Sequence, residues 1–150
     1  EESHMKKTIS MLIAWASISA FAQMTPAGLW HTIDDDTQLP KGEVRITDNN
    51  GVLSGLVVRA LKEDPKAKTV CDLCKDDRKG QKIIGMEILR NLTREGKDSD
   101  YLWAGKGTIL DPDNGKVYDV KMVPVDGGKR LRVRGYIGPF YRTQFWERAE

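Results

Sequence analysis

The sequence predicts an all-β fold, a small antiparallel up-and-down barrel of eight strands. From Gly28 onward, short β-favouring runs alternate with clusters of Gly, Asp and Asn. No helix-length segment with a 3.6-residue apolar period joins these runs, which excludes a parallel α/β sheet. Gly105 and Gly107 interrupt one run, and glycines inside a strand often mark a bend where a sheet curls. Sequential hairpins and these bends favour a closed barrel over a β-sandwich.

The first three predicted strands are Gly28–Ile33, Glu43–Thr47 and Val52–Leu61. The second places alternate apolar side chains on one face, as a half-buried strand does. Asp48–Gly51 predicts the turn that follows, because Asn and Gly accept the positive φ that a hairpin needs. The third strand therefore returns antiparallel to the second.

A long polar connection then reaches Lys82 and leads into the fourth predicted strand, Ile83–Leu92. Gly85 and the spacing of the apolar residues after it also allow a short helical piece here. The fifth predicted strand, Tyr101–Leu110, contains the two bending glycines and carries Trp103 on the same face as Tyr101 and Ile109.

The last three predicted strands are Lys116–Val125, Arg130–Tyr136 and Arg142–Arg148. The turns on either side of the sixth strand are clear, because Asp111–Gly115 and Val125–Lys129 both combine Asp with Gly. In the seventh strand three arginines alternate with apolar residues or glycine, which predicts one wet and one dry face.

Composition limits the function as well as the fold. The 150 residues include 24 basic and 22 acidic side chains, 39% hydrophobic residues and two histidines. A net charge of +2 gives no field strong enough to predict nucleic-acid binding, and the apolar content is too high for a disordered chain. We therefore expect a protein that binds a molecule or serves a structural role, without catalytic residues, cofactor or metal.

Residues 1–22 are predicted to lie outside the folded domain. Glu1–Met5 is typical of an expression-vector remnant that ends in the native start methionine. Two lysines, the apolar run Ile9–Ile18 and the small-x-small sequence Ala20–Ala22 then have the order of a secretory signal peptide. The alternative is an amphipathic helix packed on the domain. We expect one domain over residues 23–150, no transmembrane segment, and a periplasmic or secreted protein.

A family resemblance rests on motifs spread over residues 24–148. Gly28-Leu29-Trp30 resembles the Gly-x-Trp signature of lipocalin-like barrels, in which the Trp closes one end and a basic residue near the last strand packs across it. Arg148 matches that partner, with Arg142 as its substitute. The wider pattern resembles a bacterial family of secreted proteins known only as a domain of unknown function. Its matching segments are Cys71-x-x-Cys74, Gly85-Met86-x-Ile88-Leu89, Trp103-x-Gly105, Asp111-Pro112-x-x-Gly115-Lys116-x-Tyr118, Leu131-x-Val133-x-Gly135-Tyr136 and Gln144-x-Trp146-x-Arg148. The resemblance implies a small lipocalin-like barrel with no established reaction or ligand.

Cys71 and Cys74 are the most conspicuous candidates for chemistry. In an exported protein this spacing favours a structural disulfide within a loop. A thiol-redox role needs a helix N-terminus beside the first Cys, which this sequence does not predict. Zinc needs about four ligands, so these two cysteines would bind it only by bridging two subunits.

Three other polar features have a functional and a structural interpretation. His31 is expected to be a surface residue rather than a catalytic base, because no nucleophile motif accompanies it. The run Asp34–Asp36 is expected to be a solvated loop, since it lacks the spaced ligands of a Ca²⁺ site. The arginine stripe Arg130–Arg134 either binds an anion or is the wet face of a strand, and the second is favoured.

The leading functional hypothesis is an exported, non-enzymatic barrel that binds a small apolar or amphipathic, lipid-like ligand. Trp30, Trp103 and Trp146 are expected to fill the core, and the segment Gly138–Tyr141 is expected to be a loop at the barrel mouth. The candidate ligand contacts combine adaptable and amphipathic side chains. They are Met86, Tyr118, Met122, Tyr136, Phe140 and Tyr141. The alternatives are an envelope structural or protein-interaction module with a solid core and, more weakly, a thiol-active protein. The sequence predicts no oligomeric state.

Overall fold

A computed structural model describes residues 24–150 as one closed antiparallel barrel of eight strands in chain order. The strands are β1 (Gly28–Ile33), β2 (Pro40–Asn49), β3 (Val52–Ala60), β4 (Glu87–Glu95), β5 (Leu102–Asp111), β6 (Lys116–Val125), β7 (Arg130–Ile137) and β8 (Phe140–Arg148). The predicted barrel is therefore confirmed. The signal peptide predicted over residues 1–22 lies outside the described residues. No helix between residues 24 and 150 has the length and apolar character needed to cross a membrane.

Three predicted strands differ from the structure by two or more residues at one end or both. β4 begins at Glu87, because Gly85 adopts a φ of +88° and donates its N–H to Val57 rather than extending the strand. The chain turns here and forms no helix. Phe140 and Tyr141 were predicted to be in a loop but belong to β8, since Ile137 pairs with Phe140 across a two-residue turn. β2 is also longer at both ends than the predicted Glu43–Thr47.

The bend predicted in β5 is present at Gly105. Its φ is +62°, and a Cβ placed there would lie 2.2 Å from the hydroxyl oxygen of Thr93. The pairing of β5 with β6 shifts between Trp103 and Thr108. Because the shift adds two residues to β5, Trp103 and Ile109 stay on the same inner face of the barrel, opposite residues of β6 that are also inward.

The two ends of the barrel differ in how they are covered. One end, here called the tryptophan end, carries the short turns after β2, β4 and β6 and the buried residues Trp30, Trp103 and Trp146. The other, here called the loop end, carries the connections 34–39, 61–86, 112–115 and 138–139. The long connection 61–86 therefore lies at the loop end, and the three tryptophans are buried at the other end.

The disulfide loop packs against the β5–β6 turn at Gly115. This glycine has a φ of +72°, and a Cβ there would lie 2.2 Å from the carbonyl oxygen of Leu73 and 2.7 Å from the backbone nitrogen of Cys74. The contact is backbone against backbone, so a side chain cannot be accommodated by a rotamer change. The absence of a side chain at Gly115 therefore allows the 61–86 connection to pack against this turn.

Gly115→Ala is expected to lower the free energy of unfolding by about 2 kcal/mol, from backbone strain and displacement of the loop. Urea unfolding gives the free energy, and faster reduction of the buried disulfide by dithiothreitol reports the displacement. Gly51→Ala is the matched control, because Gly51 has a φ of +89° but nothing within 4 Å of its Cβ position. We expect that control to lose only about 1 kcal/mol. Equal losses in the two variants would contradict the role of the contact.

Candidate functional site

The tryptophan end is closed by Trp30 and Arg148. Trp30 is fully buried and donates its indole N–H to the carbonyl of Pro26 over 2.7 Å. The Arg148 guanidinium lies 4.2 Å from the Trp30 ring centre and donates to three carbonyls at this end. Burial lowers the pKa of Arg148 below its usual value. This is the arrangement that the Gly-x-Trp resemblance implies.

Gly28 is required next to that pair. Its φ is +134°, and a Cβ there would lie 2.6 Å from a guanidinium nitrogen of Arg148. Glycine adopts this conformation without strain and leaves the space that the arginine occupies. The strand that begins the barrel is therefore shaped to admit the basic residue that ends it.

At the loop end the inward side chains are only half-buried. Val57, Ile109 and Tyr118 face inward, since each pairs with a neighbour on the inner face, and the first two pack against the buried core. Gly135 adjoins Tyr118, whose Cβ is 3.5 Å from the position a Gly135 side chain would take. These side chains point inward and are nevertheless partly exposed, so water reaches them through the loop end. We call this part of the barrel, defined by Val57, Ile109, Tyr118, Arg142 and Gln144, the mouth.

A carboxylate from the β1–β2 connection enters the mouth. Asp35 forms an ion pair with Arg142, and the side-chain amide of Gln144 donates to the same carboxylate over 3.2 Å. The Gln144 carbonyl accepts the indole N–H of Trp146 over 3.3 Å. A polar chain therefore runs from the loop down the inner face of β8 to the packed core.

The predicted ligand contacts on β6, β7 and β8 divide between the two faces of the barrel. Tyr118 lies in the mouth, and Phe140 lies on the inner side of its rim with 78% of its surface exposed. Tyr136 and Tyr141 lie on the outer face, where their ring centres are 5.4 Å apart. Side chains alternate between the two faces along β7. Leu131 and Val133 point inward, so Tyr136, an odd number of residues after each of them, points outward.

The two predicted methionine contacts are part of the core. Met86 is 3% exposed and Met122 is fully buried, opposite Trp103 on β5. Both pack in the core, and the Met86 carbonyl accepts the N–H of Val57, a residue of the mouth. Alternation alone does not distinguish an inward side chain that packs from one that lines an accessible space.

The arginine stripe of β7 lies on the outer face, as expected for its wet side. The Arg134 guanidinium carbon is 5.0 Å from the Tyr141 ring centre, and that of Arg130 is 4.7 Å from the Phe145 ring centre. Arg134 also donates to the hydroxyl of Thr143 over 3.0 Å. These arginines cover aromatic rings of β8 with their cations.

A charged cluster on the outer wall includes a residue that the sequence did not single out. Glu43 has a side chain that is only 7% exposed, and both its oxygens accept hydrogen bonds from Arg59. The His31 ring nitrogen lies 3.1 Å from the same carboxylate. The bonds from Arg59, and then from His31, lower the pKa of Glu43. The cluster ties β1, β2 and β3 together, and nothing in the local pattern of β2 signals its burial.

The Asp34–Asp36 segment forms a turn in which the carboxylate of Asp34 accepts several hydrogen bonds. Asp34 accepts the backbone N–H groups of Thr37 and Asp36, each over 3.0 Å, and pairs with Lys62. The N–H of Thr37, with further help from Lys62, lowers the pKa of Asp34 to about 2. Within residues 24–150 no group of three or more acidic, Cys or His side chains is placed to hold a metal ion.

Cys71 and Cys74 form a disulfide, which confirms the predicted pairing. Both residues are buried, at 0% and 2% exposure, and pack in the hydrophobic core. The disulfide therefore fixes the part of the 61–86 connection that lies against Gly115 at the loop end.

Comparisons with known proteins agree with this geometry. A family model described as "Uncharacterized protein conserved in bacteria (DUF2147)" matches residues 28–148. Among solved structures, protein HP1028 from Helicobacter pylori, described as belonging to the lipocalin family, is similar with a TM-score of 0.66 and 20% sequence identity. The likeness covers 83% of this chain and 82% of that chain. No curated protein matches the chain. At this identity the likeness shows a shared lipocalin-like fold.

Proposed function

The chain belongs to this family of uncharacterized bacterial proteins, and we propose that it is an exported, non-enzymatic barrel that binds one small amphipathic molecule in the mouth. The ligand class is an apolar chain with an acidic head. Export is supported by the signal-peptide pattern and by a disulfide that suits an oxidising compartment.

The observation that carries this proposal is that the Asp35 carboxylate forms an ion pair with Arg142 and accepts a hydrogen bond from Gln144. The two donors project from the inner face of β8 into the mouth and hold a carboxylate that is supplied by a loop. An acidic ligand head presents the same atoms in the same place. If the acidic head of the ligand replaced the Asp35 carboxylate, Arg142 and Gln144 would both keep an acceptor.

The apolar body of such a ligand has a surface to bury against. Val57, Ile109 and Tyr118 are half-buried and face inward at the same end of the barrel as the polar pair. Burial of apolar area contributes about 25 cal/mol per Å², so a chain of several methylenes adds affinity here. The packed tryptophan end sets the depth of the site and favours short or partly inserted ligands.

A test of the ligand class compares dodecanoate with dodecanol by isothermal titration calorimetry on the purified full chain. We expect saturable binding of the acid and at least about tenfold weaker binding of the alcohol, because only the acid satisfies Arg142. Native mass spectrometry of protein isolated from the periplasm would show a co-purified lipid of the same class. Absence of any saturable binding of either probe would overturn the proposal.

Two substitutions at the mouth are expected to act in opposite directions on dodecanoate affinity. Asp35→Ala removes the competing carboxylate and should tighten binding, whereas Arg142→Gln removes the cation and should weaken it about tenfold. Asp36→Ala is the matched control, because its carboxylate lies in the same connection and makes no bond to either donor. Calorimetric titration of the three variants measures the effects. Weaker binding in Asp35→Ala would contradict the exchange.

An envelope interaction module with a solid core is the second candidate. The packed tryptophan end and several exposed apolar side chains on the β7–β8 hairpin favour it. On the outer face Tyr141 is 58% exposed and Phe145 is 39% exposed. This function would leave the mouth variants without effect and would place the activity on the outer surface.

A further inference from the structure

Three cations on the outer face of the barrel have no acidic partner in the part of the chain that the structure describes. Lys121 on β6 and Arg132 and Arg134 on β7 alternate with buried core residues, which places them on the outer face. None of the three forms an ion pair with a residue between positions 24 and 150. They differ in this from Arg45 on β2 and Arg59 on β3, each of which pairs with a glutamate. These strands therefore carry positive charge that the described residues do not balance.

The strand register places two of these cations directly opposite each other. Lys121 pairs with Arg134 across β6 and β7, and like charges at opposed positions of a sheet are destabilising. Asp119 lies two residues before Lys121 on the same face, but it stands opposite Tyr136 and not opposite a cation. The Arg134 Nε donates to Thr143, and its two Nη groups have no acceptor within residues 24–150. An anion bound from outside would relieve the repulsion and accept these donors.

Two tyrosine rings lie among the cations. The Lys121 Nζ is 5.2 Å from the ring centre of Tyr136, and the Arg134 guanidinium carbon is 5.0 Å from that of Tyr141. The two ring centres are 5.4 Å apart. Tyrosine has an apolar ring and a polar hydroxyl, which suits the boundary between the headgroups and the acyl chains of a bilayer. We call Lys121, Arg132, Arg134, Tyr136 and Tyr141 the basic patch.

The hairpin that carries most of the basic patch ends in exposed apolar side chains. Ile137 and Phe140 flank the two-residue turn between β7 and β8 and are 55% and 78% exposed. Tyr136 and Tyr141 follow, and Arg134 lies three residues from Ile137, about 10 Å along a strand. Apolar side chains, tyrosines and cations, in this order, favour the acyl chains, the interface and the phosphates of a bilayer. Amphipathic segments bound to a membrane lie about 5–10 Å into this boundary, so insertion of the tip alone leaves the cations at the phosphates.

We propose that the β7–β8 hairpin docks on a membrane surface that is rich in anionic phospholipids, with Ile137 and Phe140 between the headgroups and the basic patch on the lipid phosphates. The phosphates supply the counter-charge for Lys121 and Arg134. A nucleic acid would bind the cations but leave the apolar tip in water. Docking needs no ligand in the mouth, so it goes beyond the proposed function. The same hairpin carries Arg142 on its inner face, which brings the mouth beside the membrane.

Co-sedimentation with lipid vesicles tests the docking surface on the full chain. On vesicles of equal parts phosphatidylglycerol and phosphatidylcholine, Lys121→Gln combined with Arg132→Gln is expected to bind about 25-fold more weakly than the wild type, since each cation near an anionic surface contributes about fivefold. On phosphatidylcholine alone the two proteins should not differ. Arg45→Gln combined with Lys97→Gln is the matched control, because it makes the same change in net charge on β2 and in the turn after β4. A patch variant that binds phosphatidylglycerol vesicles like the wild type, or a control that loses as much, would overturn the proposal.

A fluorescent variant reports on the tip itself. Phe140 is 78% exposed, so Phe140→Trp leaves the core unchanged. Its additional emission, taken as a difference from the wild type, is expected to shift to shorter wavelength on phosphatidylglycerol vesicles and to be quenched by brominated acyl chains. Val52→Trp, at a 41% exposed position of the tryptophan end, should show neither effect. Dodecanoate titration of the patch variant should match the wild type, which separates a failure of docking from a failure of the mouth. Emission of Phe140→Trp that ignores the vesicles would rule the docking out.

Discussion

Replacing Trp30 by Ala is expected to lower the free energy of unfolding by about 4 kcal/mol, the largest effect of any single change at the tryptophan end. The ring is fully buried, its indole N–H is bonded to Pro26, and its face lies under the Arg148 guanidinium. Removal leaves a cavity and deprives a half-buried cation of its aromatic partner. Urea unfolding followed by far-ultraviolet circular dichroism measures the loss.

Two further variants separate the parts of that effect. Trp30→Phe keeps most of the ring and loses the bond to Pro26, so we expect a loss of about 1–2 kcal/mol. Phe140→Ala removes a ring that is 78% exposed, and its loss should stay within about 0.5 kcal/mol. A Trp30→Ala variant as stable as Phe140→Ala would show that the tryptophan does not close the barrel.

The strand order was predictable because the turns carry their own chemistry. Asp111–Gly115 and Val125–Lys129 fix both ends of β6, and its predicted limits agree with the structure. The strands whose predicted ends differ from the structure are next to segments without such clear turn motifs. Ile83 and Gly85 continue an apolar pattern, but the 61–86 connection is anchored by the disulfide and by Gly115, which local alternation does not reveal.

The β7–β8 turn shows the same limit in a shorter segment. Gly138 and Pro139 alone make the turn, so Phe140 is already paired with Ile137. Aromatic residues next to a Gly-Pro pair are equally compatible with a loop and with a strand, and pairing across the hairpin decides between them. The rings therefore lie on a strand of the barrel, β8, rather than in a flexible lid.

The candidate site was only partly predictable, because side-chain type does not determine which face is accessible. Tyr118 was identified, but Arg142 was expected only as a substitute partner at the tryptophan end, and Gln144 and Asp35 were not considered as ligand contacts. Asp35 reaches Arg142 from a connection more than one hundred residues earlier in the chain, so no local pattern joins them. Closure of the barrel is what brings the two together.

Arg148→Ala is expected to lower the free energy of unfolding by about 3 kcal/mol, because three backbone carbonyls at the tryptophan end lose a charged donor at once. The guanidinium donates to Gly128 over 2.6 Å, to Thr25 over 2.7 Å and to Ala27 over 3.1 Å. It thereby joins the segment before β1 to the turn before β7. Urea unfolding measures the loss, with Arg45→Ala as the control.

That control changes an arginine whose side chain is 48% exposed and pairs with Glu150, so its loss should stay within about 0.5 kcal/mol. Arg148→Lys keeps the charge but not the planar fork, and should recover less than half of the stability. The double variant with Trp30→Ala should lose about 1 kcal/mol less than the sum of the single losses, since the cation and the ring depend on each other. Strict additivity would mean that Arg148 acts through the carbonyls alone, and that the ring stabilises the barrel only by filling it.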